Sequence, residues 1–186
     1  MNTIADLLFE AHILKKVPRS GFHFLGMGQE SVAEHSFMTA FIALTMARME
    51  PEIDGYKLLA MSLLHDLAEA RTGDLNYVHK KYVSADEGKA LGDALDRIAE
   101  GASLRALIDD FNEGRSREAR LARDADQIAL ILDLKAFMDM GYAPPKKWLP
   151  AVLDRLQTQT GRKLGQDILA TSFDHWWLKN YIDRPG

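Results

Sequence analysis

The chain contains no cysteine, which excludes disulfides, thiol nucleophiles, iron-sulfur clusters and thiolate zinc sites, and is compatible with a reducing cytoplasm. Any metal must be held by nitrogen and oxygen. There is no excess of positive charge either: 23 Lys and Arg against 27 Asp and Glu give a formal net charge of -4, without the basic field needed to grip a nucleic-acid backbone. No segment approaches the roughly 20 apolar residues that span a bilayer. The first residues carry Asp6 and Glu10 within their apolar stretch, unlike the basic start and unbroken hydrophobic run of a secretory signal. Strand-like alternation, internal repeats, low-complexity tracts and a glycine-rich phosphate loop are all missing. What remains is the expectation of an all-α, cytoplasmic, single domain covering residues 1–186, large enough to bury a core without disulfides.

Apolar spacing supplies the helices. Ile4, Leu7, Leu8 and Ala11 give a first amphipathic segment ending before Pro18, and residues 17–30 read as a loop. Ser31 and Glu34 stand in capping-box spacing at the start of a second helix, which runs through Phe37, Ala40, Phe41 and Leu44 to about Met49 before Pro51. The pattern predicts a third helix from about Gly55 to Ala70, burying Leu59, Leu63 and Leu67. Two amphipathic helices between Ser84 and Arg123, separated at Gly101, precede a long helix from Glu118 to Met140. Beyond Pro144 and Pro145, helices are expected around Trp148 to Gln159 and Gly165 to Leu178.

Against this apolar background the adjacent pair His65-Asp66, between Leu63, Leu64 and Leu67, stands out. Burying such groups costs several kcal/mol unless they are paired, hydrogen bonded or bound to a metal. On a helix, His65, Asp66 and Glu69 converge at one side of a single turn. With His35 and Asp126 approaching from flanking helices, a cation between the helices would meet two imidazoles and two carboxylates and keep open positions for a substrate, as catalytic metal sites do. Sulfur-free ligation suits Mn, Fe, Co, Ni, Zn or Mg without choosing among them. Such a cation makes hydroxide available near neutral pH and polarises a phosphoryl oxygen, so the natural reaction is hydrolysis. Glu69 is the candidate acid or base, Asp74 a candidate to orient water or protonate a leaving oxygen, and Arg19 a planar fork matched to phosphate.

The segments KVPRSGF, ESVAEHS, LLHDLAEARTGDL and ARDADQIALIL, in that order from about Lys15 to Phe137, resemble the histidine-aspartate (HD) domain hydrolases, in the branch that includes the 5'-deoxynucleotidases. The resemblance implies an all-helical bundle and a metal-dependent enzyme, often a homodimer, that removes phosphate from (deoxy)nucleoside 5'-monophosphates. It further implies His35, His65, Asp66 and Asp126 as metal ligands, Glu69 and Asp74 as catalytic carboxylates and Arg19 as the phosphate contact. The C-terminal helices, residues 146–180, would pack on this unit. Related sequences usually carry Trp where this chain has Phe22. Asp124 competes for the place of fourth ligand, and Asp126 is preferred because the QIALIL that follows it matches the family's apolar run. Hydrolysis of another phosphate ester or a guanosine polyphosphate, and a non-catalytic metal- or nucleotide-binding regulator, are the competing readings. His12, His23, His79 and His175 lack partner spacing, and Trp148, Trp176 and Trp177 read as core or dimer-surface residues.

Overall fold

The computed structural model describes residues 3–182, so the outermost residues of the expected 1–186 domain lie outside the described part. Among the described residues the fold is all-α, with α1 Ile4–Ile13, α2 Phe22–Leu25, α3 Val32–Met49, α4 Gly55–Leu64, α5 Glu69–Thr72, α6 Glu87–Leu95, α7 Gly101–Glu113, α8 Arg117–Asp139, α9 Leu149–Leu153, α10 Gln159–Ala170 and α11 His175–Ile182. None of them is long and apolar enough to cross a membrane.

The long helix α8 is the axis. Ser116 caps its start by accepting from the Ala119 backbone N–H. Along its length Leu121, Ala125, Ile128, Ile131 and Leu134 are fully buried, and α3, α4, α7, α9 and α10 pack around it. Each fully buried Leu or Ile contributes about 2–3 kcal/mol. A second, smaller cluster of Leu67, Leu91, Leu95 and Ile108 joins the α4–α5 turn to α6 and α7, with Leu7 and Ala11 of α1 packed against it. Gly101 allows the sharp α6–α7 turn, because a Cβ there would lie 1.9 Å from the Leu95 carbonyl oxygen.

Several sequence expectations fail in instructive ways. The capping box at Ser31 and Glu34 forms and the helix runs to Met49 as expected; its Phe37, Phe41 and Leu44, to which the spacing assigns no face, point outward, 64%, 57% and 46% exposed. The buried face of α3 is instead His35, Thr39, Ile42, Ala43 and Met46. In α4, Leu63 is exposed and Leu58, Met61 and Ser62 are buried in its place. Helix α4 stops at Leu64, and a tighter turn follows in which the Leu67 and Glu69 amides reach back three residues, to Leu64 O and Asp66 O. At the C-terminus the expected helix after Trp148 shrinks to α9, while α10 spans the position where a break was expected.

Asp124 explains that last shift. Fully buried on α8, it accepts from the backbone N–H groups of Gln157 and Thr158, at 2.7 and 2.8 Å, and from Thr158 Oγ1 at 2.6 Å. Thr158 in turn caps α10 through Gly161 N–H at 2.9 Å, and a Cβ at Gly161 would fall 2.2 Å from Asp124 Oδ2. Asp124 is thereby committed to holding α10. Replacing it with Ala leaves three donors unpaired, and each hydrogen bond to a charged group is worth about 1.5–3 kcal/mol. Asp124→Ala should therefore lower unfolding stability by about 3 kcal/mol or more in denaturant titration; a loss under about 1 kcal/mol would refute the latch.

Candidate metal centre

The centre is assembled by three chain segments that local hydrogen bonding fixes before any side chain is considered. Residues beside Pro18 pair with those beside Ser31 in a short antiparallel bridge, with Val32 N–H to Val17 O at 2.9 Å and Arg19 N–H to Glu30 O at 2.8 Å. That bridge places Arg19 beside Glu30, and the Ser31 cap sets His35 on the opening turns of α3, 1% exposed. The second segment is the α4–α5 turn. Here His65 Nδ1 lies 2.9 Å from the Ser62 carbonyl, so Nδ1–H donates to that carbonyl and Nε2 is the nitrogen left to take up a proton or a cation. The same bond occupies the carbonyl that a continuing helix would offer to the Asp66 amide, a physical reason for the helix to break at the His-Asp pair. The third segment is the middle of α8, which supplies Asp126.

Donor atoms of His35, His65 and Asp126 all lie within 4.8 Å of one another, with His35 Nε2 3.0 Å from Asp126 Oδ1. Asp66 adjoins them, its Oδ2 3.1 Å from His65 Nε2, 3.8 Å from His35 Nε2 and 3.4 Å from Arg19 Nη1. The 3.1 Å approach lacks hydrogen-bond alignment, and His65 Nε2 and Glu69 Oε2 are buried with no hydrogen-bond partner. A buried imidazole nitrogen that faces carboxylates without a hydrogen-bond partner is an arrangement that a divalent cation satisfies, taking the place of a proton. The residues present therefore fit a nitrogen- and oxygen-ligated metal.

Electrostatics agree. Burial alone would depress His65, yet Asp66 and then Asp126 push it up to about 9; the pocket demands positive charge. His35 is lowered, chiefly by burial. Burial opposes ionisation of Asp126 and Asp66, but the adjacent imidazoles and Arg19 outweigh it and hold both below the usual carboxylate range. Burial, aided by Asp66 and Asp74, pushes Glu69 up to about 8, leaving it protonated at neutral pH. Arg19 stays charged despite burial because Asp66, Asp126, Asp74 and Glu69 surround it.

Asp74 plays a different part from the other carboxylates. Its Oδ2 accepts from Ser20 N–H at 2.6 Å, holding the loop that carries Arg19. Asn76 reinforces the joint, its backbone N–H and side-chain amide each 3.0 Å from Ser20 Oγ. Asp124, the rival of Asp126, belongs to the α10 latch and not to this cluster. Sequence reasoning missed Ser20, Asn76, Glu30 and Asp133. The last two are acidic groups that burial raises to about 7 and about 6, with Asp133 adding to the shift of Glu30. The available signal was Glu30's place immediately before the capping box, opposite the loop holding Arg19.

The chain belongs to the HD domain family, whose model matches residues 11–167. It is 25% identical over 137 residues to human 5'-deoxynucleotidase HDDC2, covering 70% of this chain and 66% of that protein. It is 24% identical to 5'-deoxynucleotidase hdd1 of Schizosaccharomyces pombe, covering 65% of each. The chain thus spans about two thirds of the length of these relatives. Among solved structures it resembles a conserved protein of Pyrococcus furiosus with a TM-score of 0.78 and 28% identity, covering 90% of this chain and 99% of that one. An HD-domain phosphohydrolase from Listeria innocua shares the fold, with a TM-score of 0.70 and 18% identity over 96% of this chain and 97% of that one.

Removing a donor tests the centre directly. Asp126→Ala should weaken Mn²⁺ binding by more than the roughly 10–100-fold typical of losing an outer partner, measured by calorimetry on metal-stripped protein. Wild-type affinity in that variant would remove Asp126 from the ligand set.

Proposed function

We propose that this chain is a metal-dependent phosphomonoesterase acting on (deoxy)nucleoside 5'-monophosphates, with His35, His65, Asp66 and Asp126 holding one divalent ion of the Mn, Fe, Co, Ni, Zn or Mg group. The observation that carries the reading is the gathering of the three-residue donor set with Arg19, whose Nη1 is 3.4 Å from Asp66, and with Glu69, whose Oε2 is buried without a hydrogen-bond partner. The activity named for the curated relatives supports it.

A bound divalent cation supplies Lewis-acid polarisation of a phosphoryl oxygen and lowers the pKa of water. Arg19 grips the phosphate through its guanidinium, held at the pocket by Asp66 and by the Ser20–Asp74 bond. Glu69 donates its proton to the departing 5'-oxygen as water oxygen bonds to phosphorus and the P–O5' bond breaks, and the proton that this water sheds returns Glu69 to its starting form. Asp74 orients the attacking water from the Ser20 side. Beside Arg19 and Asp74 opens a cavity of about 120 Å³ lined by Phe22, Leu25, Leu130 and Trp148. A larger one of about 490 Å³ shares Leu130 and Trp148 and adds Tyr77 and Val152. A phosphate at Arg19 would lead a nucleoside onto this flank, apolar at Phe22, Leu130 and Trp148 and basic at Lys147 and Arg155.

Metal-loaded protein offered a panel of phosphate esters should release phosphate from nucleoside 5'-monophosphates, deoxy forms preferred, and not from 3'-monophosphates, cyclic nucleotides or guanosine polyphosphates. Glu69→Gln should keep the metal affinity and lose about 100-fold or more in kcat. Metal binding without phosphate release from any ester would replace the enzyme by a binding protein.

The outward Phe37 and Phe41, ring centroids 6.3 Å apart, with Leu44 on the same helix, expose aromatic surface unusual for a free helix face. We assign this face to a homodimer contact. Sedimentation velocity should show a dimer that Phe41→Glu dissociates; a monomer for the wild type at tens of micromolar would end that assignment.

A further inference from the structure

We infer that Glu30 is a positioning residue that serves the metal end and the phosphate end of the site at once, an inference resting on the metal-centre reading above. One oxygen carries both contacts: Glu30 Oε2 is 3.9 Å from His35 Nδ1 and 3.8 Å from Arg19 Nε. The residue is largely buried, its side chain 13% exposed. Its position is set by backbone and not by side-chain chance, since Arg19 N–H donates to the Glu30 carbonyl at 2.8 Å and the chain turns into α3 at the next residue.

His35 Nε2 is the nitrogen that faces Asp126 and Asp66. For Nε2 to offer its lone pair to a cation, the proton must sit on Nδ1, and the carboxylate facing Nδ1 is Glu30. At 3.9 Å the contact is longer than a hydrogen bond, so in this structure Glu30 acts on His35 through charge, favouring a proton on Nδ1; a carboxylate behind a ligating histidine orients the ring and raises its basicity. The same oxygen holds Arg19 on its Nε edge, which leaves Nη1 turned to Asp66 and the pocket. His65 needs no such partner, because the Ser62 carbonyl already occupies its Nδ1. The two imidazoles are thus oriented by different means, one by a main-chain carbonyl and one by a carboxylate shared with the arginine.

Loss of this carboxylate should therefore damage two separable quantities. In Glu30→Ala, Mn²⁺ affinity of the stripped protein, measured by calorimetry in phosphate-free buffer, should fall roughly 10–100-fold, the range for removing a partner behind a ligand. Inorganic phosphate should also bind the metal-saturated variant more weakly. Glu30→Asp, which keeps the charge, should restore part of both. Arg19→Ala should weaken phosphate binding without lowering Mn²⁺ affinity, since it removes a positive charge 3.4 Å from Asp66, and so separates the two ends. Thermal unfolding of each variant distinguishes lost affinity from lost fold. If Glu30→Ala melts like wild type and binds Mn²⁺ and phosphate with wild-type affinity, Glu30 is a bystander. If it binds weakly only because it is unfolded, and folded Glu30→Gln keeps wild-type affinities, the inference is equally overturned. A wild-type chain that takes up no divalent ion would instead overturn the metal centre itself.

Discussion

The structure is organised around an electrostatic imbalance that folding alone does not resolve. Asp126 and Asp66 are gathered with two largely buried imidazoles, and Glu69 and Asp74 lie close by. Carboxylates removed from water must be paired or neutralised, at a cost of several kcal/mol per ion otherwise. Arg19 supplies one positive charge, and protonation of His65 and Glu69 supplies a local remedy. A divalent cation is the fuller one: it satisfies His65 Nε2 and the facing carboxylates together. The core on either side of the pocket must therefore be rigid enough to keep like charges close, which is what the packed middle of α8 provides.

The break between α4 and α5 belongs to the same logic. A continuous helix would direct His65 and Glu69 along one face, with the Ser62 carbonyl spent on an amide. Instead the His65 side chain takes that carbonyl, the backbone tightens, and the next carboxylate swings to within 3.1 Å of the imidazole it follows. Neighbours diverge by about 100° on a helix and by about 120° in the tighter turn, so it is the reach of the two side chains that brings Asp66 Oδ2 to 3.1 Å from His65 Nε2.

Much of the candidate cluster was readable in the chain because it is written in residue types that an apolar helix seldom carries. His35, His65, Asp66, Glu69 and Arg19 announce themselves by context, and the capping box at Ser31 fixes where α3 begins. The fold class followed from helical spacing. What spacing could not give was which face of α3 turns inward. Phe37, Phe41 and Leu44 form the more apolar stripe, yet the face with His35 and Thr39 is buried, because hydrophobicity ranks faces by transfer energy and the site recruits a polar one. Glu30 and Asp133 were silent for the opposite reason: surface-type residues become informative only when tertiary contacts bury them.

Asp124 and Asp126 show how finely one helix divides its tasks. Separated by two positions, they point about 160° apart around α8, so one carboxylate reaches the amides at the start of α10 and the other reaches His35. Because α8 is packed along most of its length, rotation that improved one contact would withdraw the other. The C-terminal helices are consequently coupled to the metal centre through the rotational setting of α8, without touching the ligands. Small residues at Ala122, Ala125 and Ala129 let neighbours approach closely enough to hold that setting, and the tolerance of the site for changes in α10 is therefore limited by how far Asp124 can move before α8 turns with it.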